Sequence, residues 1–335
     1  MREVTRATEV KARAPWSTAS RLSQRLGKVL EIRQASMTII LVLIVLSLSL
    51  ATDRFLTVTN LINVARQVSI ISVVAIGMTM VIISAGIDLS VGGIVAVAGS
   101  FSAAVMATTG NVPLAIAVGL LTGTALGAVN GLFIAYFNLA AFIVTLATFS
   151  LTRSANLAFT HGWPLSVTTE AYNFIGQGYL GPVPVPVVIM FVLYLVGTVT
   201  MQNTRFGRYV YALGDNEEAV RLAGINVSTY RLAIYTLTGT LCGLGGIMLT
   251  ARLGSAQPNA GVGFELDAIA AVILGGTSLY GGEGSLAGTL VGCFIIGFIS
   301  NGMNLLNVSP FYQGMAKGAI ILVAVLIDRW ISASK

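Results

Sequence analysis

Apolar runs of membrane-crossing length recur along this chain from end to end, broken only by short polar stretches. A run of about eighteen or more apolar residues, wound as a helix rising about 1.5 Å per residue, crosses a hydrocarbon layer about 30 Å thick. No water is available at that depth. Each backbone N–H and C=O must therefore be bonded within the segment itself, which a helix does. Composition agrees: 55% of the 335 residues are hydrophobic and 10% are charged, where a soluble domain carries about 25% charged residues. That is too little charge to coat a water-facing surface. The expected fold class is an all-α polytopic membrane protein.

Reading apolar runs between polar breaks gives about ten transmembrane helices, over 36–51, 61–84, 89–107, 112–137, 139–159, 183–201, 228–250, 264–280, 285–305 and 309–331. Basic residues gather ahead of the first: Arg2, Arg6, Lys11, Arg13, Arg21, Arg25, Lys28 and Arg33, against Glu3, Glu9 and Glu31. Positive flanks stay in the cytoplasm, so the net charge of +6 speaks for topology and for contact with membrane lipid, and not for nucleic acid. An even span count then puts both termini inside. Residues 1–35 are expected to form a basic cytoplasmic tail and 36–331 the transmembrane domain. The run 37–51 has the look of a signal-peptide core, but the long basic region before it and the many spans after it favour an uncleaved first span. The loop 160–182, rich in aromatics, Pro and Gly, reads either as a partner-binding rim or as an aromatic-belt connector.

Gly119, Gly123, Gly127 and Gly131 recur every fourth residue in the fourth span, and Gly284, Gly288 and Gly292 do so around the ninth. Such ladders let helix backbones approach closely. Their separation by five spans suggests that spans two to five repeat as seven to ten in inverted orientation, a frequent transporter construction.

One polar island, 203–227, interrupts the apolar pattern at a predicted cytoplasmic face. Asp215 stands as an N-cap with Glu218 three residues later, and Gly224 stands where a glycine ends a helix. The spacing predicts a short helix over 216–223 that exposes Glu217, Glu218 and Arg221 and turns Ala219, Leu222 and Ala223 inward. It is a docking element for something soluble or an ordinary surface helix. A second motif surrounds Asp88, the only acid between Asp53 and Glu170. A carboxylate at the bilayer centre costs about 2.5–3.5 kcal/mol. Either Gly86 and its neighbours break a helix whose free amides receive a polar substrate, or Asp88, with Ser90, caps the third span in a tight turn at the cytoplasmic surface. The amides Asn63, Gln67, Asn130, Asn301 and Asn304 are candidates for a polar translocation route, since an uncharged polyol needs donors and acceptors; singly, each also reads as glue between helices. Arg66 and Lys317 lie toward the outer side, where long side chains snorkel.

Absences narrow the chemistry. Cys242 and Cys293 are the only cysteines and lie in apolar runs, and His161 has no second histidine. No metal site and no catalytic set is readable. None of the four lysines, Lys11, Lys28, Lys317 and Lys335, precedes Ser or Thr, which excludes a Walker A loop and with it an ATPase site. Acids within the spans are too few for an obvious proton relay.

Four stretches carry a family likeness: A-G-I-D-L-S-V-G-G at 85–93, F-I-V-T-L-A-T at 142–148, A-L-G-D-N-E-E-A-V-R-L-A-G-I-N-V at 212–227 and A-A-V-I-L-G-G-T-S-L-Y-G-G-E-G-S-L-A-G-T-L-V-G at 270–292. Together they resemble the ribose-type permease subunits of bacterial ABC importers, from about Phe55 to Asp328. The resemblance implies a multi-pass inner-membrane protein that pairs with a second copy of itself, and a periplasmic binding protein that delivers a monosaccharide. It also implies a separate ATPase that binds ATP and magnesium, this chain holding no cofactor of its own. Gly214, Asp215, Asn216, Glu217, Glu218, Ala219, Arg221, Ala223 and Gly224 then become the ATPase-coupling helix and its flanks. The chain departs from the family pattern at Val220, where many relatives have alanine, and at Ala140-Ala141, where many have proline. A self-sufficient secondary carrier or channel, or a permease for nucleosides or branched-chain amino acids, is the alternative.

Overall fold

The computed structural model describes residues 37–333, and the basic tail at 1–35 lies outside them. The described chain is helical almost throughout, in the order α1 (Met37–Ala51), α2 (Val58–Ile83), α3 (Val91–Thr109), α4 (Val112–Tyr136), α5 (Ala141–Thr160), α6 (Glu170–Gln177), α7 (Val185–Asn203), α8 (Arg205–Asp215), α9 (Glu217–Leu222), α10 (Val227–Leu253), α11 (Phe264–Leu274), α12 (Leu286–Leu305) and α13 (Pro310–Ala333). Local chemistry sets many of the ends. Thr57, Asn111, Asn226 and Ser285 each accept a first-turn N–H, opening α2, α4, α10 and α12. Gly110 and Gly254 close α3 and α10 in the left-handed conformation, a common way of ending a helix.

Seven of these helices, α2, α3, α4, α5, α7, α10 and α12, are 19 to 27 residues long and apolar enough to cross a membrane. Of the other three expected spans, α13 is a 24-residue helix over Pro310–Ala333, close to the expected 309–331, while α1 is a shorter apolar helix. α11 ends at Leu274, where the span was expected to run to residue 280. There the chain turns at Gly275-Gly276, with Gly276 at φ +85°.

α2 is buried continuously from Val68 to Ile83, as expected of a helix stretch that is apolar all round. Val68, Met78 and Ile82 of α2 meet Ile94 and Val95 of α3, Cys242 of α10, Val272 of α11 and Ile296 of α12 in the largest core cluster. Around it, α4 lies on α10 with the two backbones almost touching: a Cβ on Gly123 would stand 2.7 Å from the Cα of Gly243. Thr124 and Thr240 join hydroxyls across this contact at 2.8 Å. α12 meets α2 with a matching pair, Thr79 and Thr289, also at 2.8 Å. Away from the core, α4, α5, α7 and α13 expose large apolar side chains such as Leu121, Leu151, Leu195 and Leu322.

The two ends of the bundle differ. One carries α8 and α9. The other carries α6 and two short antiparallel pairs, β1 (Leu165–Ser166) with β4 (Ser255–Ala256) and β2 (Tyr179–Leu180) with β3 (Val183–Pro184). The loop over 160–182 is thus structured around a helix, where the residue pattern showed only turn-formers and aromatics. Tyr172 of α6 is fully buried and shares a 2.8 Å hydrogen bond with Ser102; burial pushes its phenol up to about 12.

Candidate functional site

The island at 203–227 folds as two helices. Thr204 opens α8 by accepting from the Gly207 N–H. Gly214 lets α8 press onto the end of α2, since a Cβ there would stand 2.9 Å from the carbonyl carbon of Ile83. Beside it, Gly282 N–H donates to the Ile83 carbonyl at 2.9 Å, and the Tyr211 hydroxyl donates to the Gly284 carbonyl at 2.9 Å. α8 is therefore clamped both to α2 and to the segment leading into α12. Burial pushes the Tyr211 phenol up.

α9 starts one residue later than its sequence pattern suggests. Because α8 runs through Asp215, the break falls on Asn216, at φ −155°, and the Asn216 side chain takes the capping role expected of Asp215 by accepting from Ala219 N–H at 2.9 Å. Gly224, at φ +77°, ends the helix as expected.

The inward face also differs. Val220 is buried against Leu213 of α8 and Val227 of α10, a burial worth about 1.5–3 kcal/mol. Residues three apart share a helix face, so Glu217 turns in with Val220. Its carboxylate takes Arg221 at 2.8 Å and, on the other oxygen, Arg231 of α10. Ala219, Leu222 and Ala223, expected to pack inward, are exposed, Leu222 to 82%. Glu218 and Arg221 are exposed as expected.

The second motif forms a closed polar chain inside the bundle. Asp88 is fully buried, and one carboxylate oxygen accepts from Ser90 N–H at 2.8 Å and from the Ser90 hydroxyl at 2.5 Å. Asn130 of α4 donates to the Ser90 hydroxyl oxygen at 2.8 Å, and Thr148 of α5 donates to Asn130 at 2.6 Å. The chain does turn after α2, with Ala85 exposed, and Asp88 does restrain the start of α3, but from a buried position, with its second oxygen unpartnered. Burial pushes its carboxyl above the ordinary carboxylate range, against the opposing pull of the Ser90 bonds. Gly86 lies in the same extended segment, next to Tyr235 of α10.

The remaining candidate amides do not converge with that chain. Asn63 and Gln67 are exposed on α2. Asn301 exchanges two hydrogen bonds with Asn60, at 2.9 and 2.8 Å, and Asn304 accepts from Gln313 at 2.9 Å. Asn60 and Gln313 had no distinguishing sequence signal, since a lone polar residue in an apolar run has no visible partner until the helices meet; Thr148 closes the stretch at 142–148, but its partner Asn130 was not visible there. Lys317 pairs with Asp267 at 2.8 Å. Arg66 donates to the Gln177 carbonyl at 2.7 Å and lies 4.7 Å from the Tyr179 ring centre.

Known proteins bear on this arrangement. The family model described as "Branched-chain amino acid transport system / permease component" matches residues 60–325. The chain is 45% identical over 300 residues to a protein of Escherichia coli K12 named "Ribose import permease protein RbsC", covering 88% of this chain and 93% of the relative. It is 46% identical over 295 residues to the protein of the same name from Bacillus subtilis, covering 88% and 92%. It is 35% identical over 364 aligned positions to "Xylose transport system permease protein XylH" of Escherichia coli K12, covering 90% and 93%. No solved structure matches. With most of its length matched by the family model and by these relatives, the chain belongs to the branched-chain amino acid transport system / permease component family, among the ribose-type permeases of ABC importers.

Proposed function

We propose that this chain is the pore-forming permease of an ABC importer for a monosaccharide, worked from its α8–α9 end by a separate ATPase. The observation that carries the reading is the build of α9. It is a short capped helix, anchored by Val220 and by the Glu217–Arg231 pair, that holds Glu218, Ala219, Leu222 and Ala223 out to solvent. Such a helix transmits force, because its inner face is bonded to α8 and α10 while its outer face is free for a partner. α8 carries the motion further, through Gly214 to the end of α2 and through Tyr211 to the segment before α12. ATP and magnesium belong to the partner ATPase, and a second copy of the chain completes the pore.

The relatives named for ribose and xylose support a pentose or related sugar as cargo, delivered at the α6 end by a binding protein in the periplasm. The excess of arginine around α8 and α9 supports a cytoplasmic position for that end, with both termini on the same side. An inverted repeat of α2–α5 as α10–α13 accounts for the paired threonine contacts. α2 joins α12 through Thr79 and Thr289, as α10 joins α4 through Thr240 and Thr124. The same repeat would bring the full count to ten membrane-crossing elements, with α1 and α11 as the short ones.

Leu222→Glu tests the docking face. The change sits on exposed surface, so the permease should insert and purify normally while losing co-purification of the ATPase subunit. Full-strength ATPase recovery with this variant would sink the assignment.

A further inference from the structure

A cavity of about 250 Å³ opens beside the α8–α9 end, between the turn after α2, the connector from α4 to α5, and the early turns of α10. Its polar side chains are Ser84, Asn138, Arg231 and Tyr235. Tyr235 lines it with a side chain only 2% exposed, and the Tyr235 hydroxyl has no hydrogen-bond partner among the described residues. That hydroxyl reaches the wall formed by Gly86, where a Cβ would stand 2.6 Å from it. Arg231, one turn earlier on α10, brings a guanidinium to the same space. Ala140 and Ala141 bring the start of the 20-residue α5, whose cap residue Ala140 offers no side-chain bond. The first N–H groups of a helix have no partner inside it and carry the positive end of its dipole. A phenol, a guanidinium and an uncapped helix start are donors that an acceptor-rich anion satisfies together.

Two carboxylates stand nearby. Glu217 holds Arg231 from the α9 side. Asp88 lies further inside, fully buried, with one oxygen already bonded by Ser90. Neither faces the α5 start as an alternative acceptor, since neither lines the cavity.

We propose that this cavity binds a phosphate group, held by Arg231, the Tyr235 hydroxyl and the first amides of α5, and that the group belongs to a soluble phosphate-bearing solute or to an anionic lipid headgroup. Because Arg231 also grips Glu217, bound phosphate and α9 draw on the same guanidinium.

The test uses the full-length permease alone in detergent micelles, so it does not depend on whether α9 docks an ATPase. Saturable binding of radiolabelled inorganic phosphate is measured by equilibrium dialysis. Tyr235→Phe, which removes one oxygen and keeps the ring, should weaken that binding about tenfold, the effect of one lost hydrogen bond to a charged group. Glu217→Gln should tighten it several-fold by freeing Arg231, a gain that a folding defect cannot imitate. Nanodiscs of phosphatidylcholine with and without phosphatidylglycerol separate the sources. Displacement of phosphate by phosphatidylglycerol assigns the site to lipid, and undiminished binding assigns it to a soluble solute. No saturable binding in micelles together with no retention of phosphatidylglycerol over phosphatidylcholine by native mass spectrometry overturns the proposal. So does binding that Tyr235→Phe leaves unchanged.

Discussion

Asp88 is where residue chemistry and burial inside the bundle meet most sharply. Its bonded oxygen ties Ser90, and through Ser90 it reaches Asn130 and Thr148, so three segments share one chain of hydrogen bonds. What it contributes is acceptance, and the negative charge is a liability in so dry a place. Asp88→Asn keeps an acceptor for Ser90 and drops the charge; it should unfold at a temperature at least as high as the parent. Asp88→Ala orphans the Ser90 donors and should cost about 1–3 kcal/mol. The pH dependence follows from the raised carboxyl. A carboxyl raised on folding favours the native state when protonated, and that advantage fades as pH climbs through the folded value. The margin of Asp88→Asn over the parent should therefore grow from acid toward neutral pH in thermal unfolding of detergent-solubilised protein. Loss of sugar uptake in a stable Asp88→Asn variant would instead give the charge a part in transport.

Among the elements, the pair of α4 and α10 depends most on the absence of side chains. Gly123 and Gly127 face Gly239 and Gly243 with no room for a β-carbon, and in lipid such close packing replaces the hydrophobic drive that joins helices in water. Gly123→Leu should destabilise the bundle by about 1–3 kcal/mol or more, read as aggregation on size-exclusion chromatography after extraction. The same substitution at Gly314 of α13, where a Cβ would meet nothing within 4 Å, should be tolerated. Both glycine ladders were visible as a four-residue period in the sequence, but their partners were not. The α4 ladder meets α10, whereas Gly288 of α12 meets Gly275 just beyond α11. The sequence pattern placed each end of α9 to within one residue, yet misplaced its face. Val220 outcompetes the alanines for the buried side, and only the presence of Leu213 and Val227 beneath it shows that.

The whole molecule is a bundle around α2 with a small lever-like pair, α8 and α9, clamped to one end. In the proposed reading a separate ATPase works the pore through this pair, since nothing in the sequence resembles a Walker A loop. Reconstituted alone into liposomes, the permease should show no accumulation of pentose against a gradient, with or without a proton gradient. Adding the cognate ATPase and binding protein should restore uptake that depends on ATP. Accumulation by the chain alone would make it a secondary carrier. The sequence by itself determined the membrane class, the long helices, the polar island and the family, because run length, low charge and contiguous motifs are local properties of a chain. The tertiary structure alone decided which way α9 faces, that Asp88 is interior, that Asn301 belongs to Asn60, and that Arg231, Tyr235 and the start of α5 share one cavity. Those facts depend on contacts between residues far apart in the chain, and no local pattern carries that information until the helices pack.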